Sequence, residues 1–474
     1  MVCSPQGFNT IAHQMKNFEE LLEENYQSLE SEDCKEQVIA FLRERENLKD
    51  KHILFVKKLT KVAHHILSSE PKALDDLLPK LYQFNLEGVE MIRAYRHDEL
   101  NYTNLISMAS HLHGYAAAIA QSLFKETENP DWGIKCYRSN RISAILLREH
   151  NPKYSAYTYG FTGSMAKNLY DLTGEDRWLF RWYWAKLMSA QLAEEVDVTH
   201  ASYCYSIAGK AAMMIYQKNI QNYDWGFRWY EHYLQSAEIS LDCNRNHAAH
   251  AYSFAGNAAM ALFENMGGVD WGKLWYESYI SSGEFSADTD VVHSYNSYRI
   301  AGNAARDIYK MTQDLEWARL WFKALYKSSE MSILENPRHA VNGFSISGDI
   351  AEEIFSKSGD IDWAHHMYQS HLKAAELCAE NNPKHSAHQY SYAGNAAKLL
   401  AMKQGSAKWI QDTIHCYERF LDYYNINGNT RVHNVVKRIR SDVYLLKMSL
   451  EDPDTLAQKA SELKKEKAEQ AEGV

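Results

Sequence analysis

Five histidines recur at one position of a repeating pattern, and imidazole side chains can bind metal ions or move protons. Each stands nine residues before a glycine that recurs every 46 or 47 residues: His200, His247, His293, His339 and His385. Adjacent units of a stacked helical array lie roughly 10 Å apart, whereas a metal–nitrogen bond is about 2 Å long. Neighbouring histidines therefore cannot share one ion, and we expect each to join a loop to its neighbour.

Other patterns that carry chemistry are missing from the sequence. The seven cysteines are scattered and form no Cys-x-x-Cys pair, which favours reduced thiols over a disulfide framework or a zinc site. The chain has no HExxH motif, phosphate loop, dinucleotide-binding glycine pattern or G-x-S-x-G motif. We therefore predict no catalytic residue, no metal site and no cofactor.

The spacing of the tryptophans indicates the repeating structural units that contain the recurring histidines. Seven tryptophans are 46 or 47 residues apart: Trp132, Trp178, Trp225, Trp271, Trp317, Trp363 and Trp409. A glycine precedes six of them by 15 or 16 residues: Gly163, Gly209, Gly256, Gly302, Gly348 and Gly394. A period this strict indicates an array of stacked supersecondary units.

Each unit is predicted to contain two helices, which we name helix A and helix B. One face of helix A is formed by an aromatic residue four positions before the glycine, an alanine three after it and, in five of the six repeats, an aromatic residue seven after it. Glycine costs about 1 kcal/mol of helix propensity relative to alanine, so its recurrence predicts a close helix contact. Helix B begins at an acidic residue followed by the tryptophan, which we expect to be buried against a neighbouring helix A.

The 46-residue period also predicts how the chain is divided. We predict an N-terminal helical domain or cap over residues 1–108, seven repeats over 109–430, and a C-terminal capping helix with a charged tail over 431–474. The fold class is therefore all-α, an α-solenoid of about seven helix-turn-helix repeats.

Composition and charge limit the classes of function that the sequence allows. Of 474 residues, 45% are hydrophobic and 24% are charged, as in folded soluble proteins. A formal charge of −10 argues against binding to nucleic acid or to an anionic membrane. Because no signal peptide or membrane-spanning run is found, we expect a cytoplasmic protein. The sequence leaves open export by a route without a signal peptide.

The segments YSFAGNAAMALF and YRIAGNAARDIY, each followed by a second helix rich in small residues, resemble the tetratricopeptide repeat. The resemblance covers roughly residues 109–430, although the family repeat is about 34 residues long and this one is 46. It implies a peptide-binding surface on helix A, at the positions three before, one after and four after the glycine. The residues of this sequence at those positions are Asn257, Arg299, Asn303, Arg306 and Asn395. The next repeat carries Asp349 and Glu352 there, which argues against a ligand held by its C-terminal carboxylate.

An open array presents a long groove, so the sequence favours a non-enzymatic scaffold that binds a protein or peptide partner. Two alternatives stay open. The helix pairs could close into an α/α toroid, a form used by some glycosidases and cyclases, with a central active site. The protein could also self-assemble as a homo-oligomer through its N-terminal helices.

Overall fold

A computed structural model of the protein describes residues 78–94, 102–426 and 433–451. The described residues form helices and no strand. In chain order the helices are α1 Leu78–Ala94, α2 Tyr102–Thr127, α3 Pro130–Leu147, α4 Pro152–Thr173, α5 Asp176–Ala193, α6 Val198–Lys218, α7 Tyr223–Ser240, α8 Arg245–Met266, α9 Val269–Ser286, α10 Val291–Thr312, α11 Leu315–Ser332, α12 Pro337–Ser358, α13 Ile361–Cys378, α14 Pro383–Gln404, α15 Ala407–Ile426 and α16 His433–Glu451. Most of the predicted N-terminal domain, residues 1–77, and the charged tail lie outside these ranges.

The chain divides into two compact units, Met1–Cys243 and Asn244–Val474, which we call unit 1 and unit 2. The described part of unit 1 contains α1 followed by the pairs α2–α3, α4–α5 and α6–α7. Unit 2 contains the pairs α8–α9, α10–α11, α12–α13 and α14–α15, and then α16. In each unit a helix packs against the helices before and after it in the chain. The predicted all-α solenoid of tetratricopeptide-like helix pairs is confirmed.

Each helix A from α4 to α14 begins at a side-chain cap. An asparagine or aspartate accepts a hydrogen bond from the backbone N–H three residues later, as Asp290 does from His293 and Asn382 from His385. Such a cap satisfies one of the N–H groups that the first helical turn leaves free. At the other end, Gly359 closes α12 with a φ of 71°, a left-handed conformation that suits glycine. Local sequence therefore determines where the helices start and stop.

Six of the seven tryptophans that open helix B form edge-to-face pairs with an aromatic ring of an earlier helix. That helix is the preceding helix B in five cases and α1 in one. The ring centroids lie 4.8 to 5.9 Å apart and the planes meet at 76° to 87°. The pairs are Tyr82–Trp132, Tyr137–Trp178 and Tyr183–Trp225 in unit 1, and Tyr276–Trp317, Phe322–Trp363 and Tyr368–Trp409 in unit 2. This geometry is favourable for aromatic quadrupoles.

The tryptophan prediction needs correction in its burial. Only Trp178 and Trp363 are buried, and the other five are half-buried. Contact with helix A is present as well as contact with the preceding helix B, since Trp363 lies in one hydrophobic cluster with Ile350 of α12. The second tryptophan of helix B also contacts helix A: Trp275 is buried, with its ring centroid 5.9 Å from that of Phe263.

None of the helices in the described ranges is both long enough and apolar enough to cross a membrane.

Candidate functional site

The recurring histidines join the start of helix A to the preceding helix B. In three repeats the ring Nε2 lies within hydrogen-bond distance of a serine Oγ on that helix: His200 with Ser189 at 3.0 Å, His293 with Ser282 at 2.9 Å and His339 with Ser328 at 3.1 Å. Burial lowers the pKa of all three imidazoles. In the described part of the chain, no group of three His, Cys, Asp or Glu side chains is placed to hold a metal ion. These three histidines act as ties between helices.

A buried polar cluster between α5 and α6 brings together residue types that catalysis uses. The Ser189 Oγ lies 3.0 Å from His200 Nε2 and 3.2 Å from Cys204 Sγ. Burial raises the pKa of the Cys204 thiol and lowers the pKa of the Lys186 amine. The thiol is therefore protonated and unreactive, and Cys204 is closed to solvent. Lys186 Nζ donates to the carbonyl of Gly160 at 2.7 Å, so the cluster serves the packing between helices.

The recurring glycine makes room for a ring on helix B, and the hydroxyl of that ring binds the next residue of helix A. A Cβ atom added at Gly256 would lie 2.6 Å from Cδ2 of Tyr279, closer than real Cβ contacts come. The Tyr279 hydroxyl donates to Oδ1 of Asn257 at 2.6 Å. The same arrangement recurs with Gly394, Tyr417 and Asn395, where the hydrogen bond is 2.8 Å long. The hydrogen bond holds each amide by its oxygen, and the Nδ2 group makes no hydrogen bond within the described ranges.

The repeat between them departs from this arrangement. Leu325 stands where the other two repeats have tyrosine, so no hydroxyl reaches Asn303. The Asn303 side chain is half-buried and makes no hydrogen bond with any other residue in the described ranges. A Cβ atom at Gly302 would meet its nearest neighbour, Cδ1 of Trp321, at 3.5 Å, which is ordinary contact. The close approach predicted at this glycine is therefore not present.

The two arginines at the site differ in their partners. Arg306 pairs with Asp307, the next residue on α10, at 2.9 Å. Burial raises the pKa of Tyr279 to about 12, and the charge of Arg299 partly opposes that rise. Arg299 itself forms no ion pair within the described ranges. Asp349 and Glu352 stay exposed on α12.

Sequence reasoning missed a row of large apolar side chains two positions before the glycine. In unit 2 these are Phe254, Ile300, Ile346 and Tyr392, which we call the apolar row. Three of the four are exposed and Ile300 is half-buried. The same position in unit 1 holds Tyr115, Phe161 and Ile207, and Phe161 is 65% exposed.

The signal for the apolar row is present in the sequence. Two residues correspond to about 200° of rotation around a helix, so a side chain two positions from the buried glycine points away from the core. The solvent-facing side of a helix usually carries polar residues, whereas this position carries an apolar residue in every repeat. The apolar row is bordered by the polar residues Asn257, Asn303, Asp349 and Asn395, and the two sets together form what we call the helix A face of unit 2.

Comparisons with known proteins find solved structures that are similar to this chain only at low TM-scores. No protein-family model matches the chain, and no curated protein matches it. A circular tandem repeat protein with a novel repeat topology is 12% identical, with 86% of this chain and 98% of that chain covered and a TM-score of 0.26. BtubC from P. vanneervenii is 14% identical, with coverage of 55% and 92% and a TM-score of 0.27. A signal-transduction ATPase with a tetratricopeptide repeat sensor, from Pyrococcus horikoshii, is 12% identical, with coverage of 83% and 53% and a TM-score of 0.27. At such TM-scores the fold assignment depends on the chain's own helix pairs.

Proposed function

We propose that this protein is a non-enzymatic interaction scaffold that binds a polypeptide partner on the helix A face of unit 2. The observation that carries the proposal is the apolar row, which presents large side chains to solvent on α8, α10, α12 and α14. Exposed apolar surface bordered by polar residues is typical of protein-binding sites. Burying the exposed part of each side chain contributes about 1 kcal/mol.

The asparagines suit the backbone of such a partner. An extended polypeptide offers one donor and one acceptor per residue, and an amide side chain complements both. Asn257 and Asn395 are held in place by tyrosine hydroxyls, which reduces the entropy lost when their Nδ2 groups bind a carbonyl. No residue in the described ranges uses the donor or the acceptor of the Asn303 side chain, so both can bind a ligand. Arg299 lies four residues before Asn303, about one helical turn away on the same helix face.

The test compares substitutions on the apolar row with substitutions elsewhere. Partners captured by the full-length protein are identified, and their affinities are measured by calorimetry with the double variant Phe254→Ser, Ile346→Ser. We expect at least tenfold weaker binding. The matched control, Leu334→Ser with Met402→Ser, removes side chains that are 90% and 76% exposed away from the apolar row and should bind normally. Equal affinity of the two double variants would refute the proposal.

A second comparison tests two polar residues of α10 beside the apolar row, Arg299 and Asn303. The double variant Arg299→Ala, Asn303→Ala should weaken binding about tenfold or more and leave thermal stability nearly unchanged, since each hydrogen bond contributes about 0.5–1.5 kcal/mol. Charge reversal at Arg306 should add a loss that shrinks at high salt, because an exposed ionic contact is screened. Unchanged affinity of the double variant would remove these residues from the site.

A further inference from the structure

Unit 1 contains an open cleft of about 570 Å³ between α3, α4 and α5. Its size is within the range of ligand-binding clefts. Three arginines line it, Arg141 from α3, Arg148 directly after the end of α3 and Arg181 from α5, and no acidic residue does. The rest of the wall is mostly aromatic or apolar and includes Ile145 and Trp184, which are 50% and 49% exposed.

The positive charge of this cleft is not neutralised by the protein. Within the described ranges none of the three arginines forms an ion pair, although the whole chain carries a net charge of −10. The Arg181 guanidinium lies over the rings of Tyr137 and Trp178, 5.5 and 4.5 Å from their centroids. Stacking of this kind orients the planar guanidinium and leaves its N–H groups free to bind an oxyanion.

The arginine charges act on two tyrosines of the cleft wall. Burial raises the pKa of Tyr137, and the charges of Arg141 and Arg181 oppose that rise. Burial likewise raises the pKa of Tyr159, and there the opposing charges are those of Arg148 and Arg141. Seven residues separate Arg141 from Arg148, which corresponds to about 10 Å along a helix, so a ligand that engages both arginines carries oxyanions that are separated along its length.

We propose that this arginine cleft binds an acidic peptide segment, whose carboxylates pair with Arg181, Arg141 and Arg148. An apolar side chain of the same segment packs on Trp184 and Ile145. A polypeptide fits better than a compact phosphate because the cleft combines separated charges with exposed apolar surface. The arginine cleft is a second site, on α3 and α5 of unit 1, and involves no residue of the helix A face of unit 2.

The probe is a fluorescent twelve-residue peptide of repeated Glu-Glu-Leu, titrated with the full-length protein at low and at physiological salt. The first control peptide has glutamine in place of every glutamate, and the second has serine in place of every leucine. We expect the acidic peptide to bind at least tenfold more tightly than the glutamine peptide and to weaken as salt rises. Equal binding of the acidic and glutamine peptides would overturn the proposal.

Matched variants locate the binding. Arg141→Gln should weaken the acidic peptide at least tenfold, whereas Arg138→Gln, an exposed arginine of the same helix outside the cleft, should change it less than twofold. Trp184→Ala should weaken the leucine-containing peptide more than the serine-containing one. Equal effects of the two arginine variants would overturn the assignment to this cleft. So would saturable binding of inorganic pyrophosphate that depends on Arg141 in the absence of acidic-peptide binding.

This result is separable from the proposed function. The variant Phe254→Ser, Ile346→Ser should bind the acidic peptide like the unmodified protein, because both residues lie in unit 2. Loss of the acidic peptide in that variant, with normal thermal stability, would contradict the independence of the two sites.

Discussion

The side chain that faces the recurring glycine differs from repeat to repeat, and it determines what the glycine contributes. Tyr279 and Tyr417 come so close that any Cβ atom would collide with the ring. At Gly348 the facing side chain is His371, whose Nε2 would lie 2.4 Å from an added Cβ. The identity of the glycine is therefore constant, while the physical reason for it varies.

Alanine substitutions should separate two of these cases. Gly256→Ala should lower the free energy of unfolding by about 1–3 kcal/mol, because the added Cβ atom overpacks the contact with the Tyr279 ring. Gly302→Ala meets only ordinary contacts and should be neutral or raise stability by up to about 1 kcal/mol through helix propensity. Urea denaturation of both variants provides the measurement. A loss at Gly302 as large as that at Gly256 would contradict the contact geometry.

The asparagines after these glycines should also differ in their contribution to stability. Asn257→Ala removes the acceptor of the Tyr279 hydroxyl and should cost about 1 kcal/mol. Asn303→Ala breaks no hydrogen bond within the described ranges and should leave stability nearly unchanged. In a double-mutant cycle, Tyr279→Phe should reduce the cost of Asn257→Ala, since the two side chains form one interaction. Additive effects would show that this hydrogen bond contributes nothing to stability.

At the scale of the helices, the serine–histidine tie connects a helix A to the helix B before it in three repeats. Ser328 on α11 bonds His339 on α12 and also donates to the carbonyl of Tyr295 at 2.7 Å. One repeat later, α13 carries Ala374 at the serine position. The Nε2 of His385 is accordingly buried with no hydrogen-bond partner within the described ranges. A buried polar atom without a partner costs free energy.

Restoring the missing serine should stabilise the protein. Ala374→Ser supplies a hydroxyl to His385 and should raise the free energy of unfolding by about 0.5–1.5 kcal/mol. The reverse change, Ser328→Ala, should lower it by a similar or larger amount, because it leaves the His339 ring nitrogen without a partner. Denaturant titration of both variants tests the pair. If Ala374→Ser is destabilising and His385→Ala removes none of that loss, the tie does not form there.

At the scale of the whole chain, histidines with lowered pKa values occur in both units. Burial is the main cause in each case: His200 and His232 in unit 1, and His293, His339, His366, His371 and His385 in unit 2. Below the ordinary histidine pKa of about 6.5, the unfolded chain binds protons that the folded chain does not. Stability should therefore be full above that pH and should decrease as the pH falls toward the folded-state values.

Thermal unfolding between pH 7.5 and 5.5 should show this loss, and His371 offers the sharpest test because its side chain is fully buried. His371→Gln should lose less stability across this interval than the unmodified protein, whatever its melting temperature at pH 7.5. His415→Gln, a change at an exposed histidine, serves as the control. An identical pH dependence in all three proteins would show that the burial of His371 is not linked to stability.

The sequence alone determined the repeat, its two helices and their boundaries. Those features follow from local rules. A 46-residue period indicates stacked units. An asparagine or aspartate directly before a helix indicates an N-terminal cap, as at Asn336. The sequence also indicated helix A as the face with binding residues, which stays a prediction. The apolar row could have been found the same way, because the helical period alone places Ile346 opposite the buried glycine.

Only the tertiary structure decided which side chains meet. Nothing in the local pattern shows that Leu325 deprives Asn303 of a partner, since the two residues belong to different helices. The arginine cleft brings Arg181 of α5 close to α3, although Arg181 follows Arg141 by 40 residues. No acidic residue lines this cleft. Helix periodicity is set by backbone geometry within a few residues, whereas the filling of a space between helices depends on side chains that are distant in the chain.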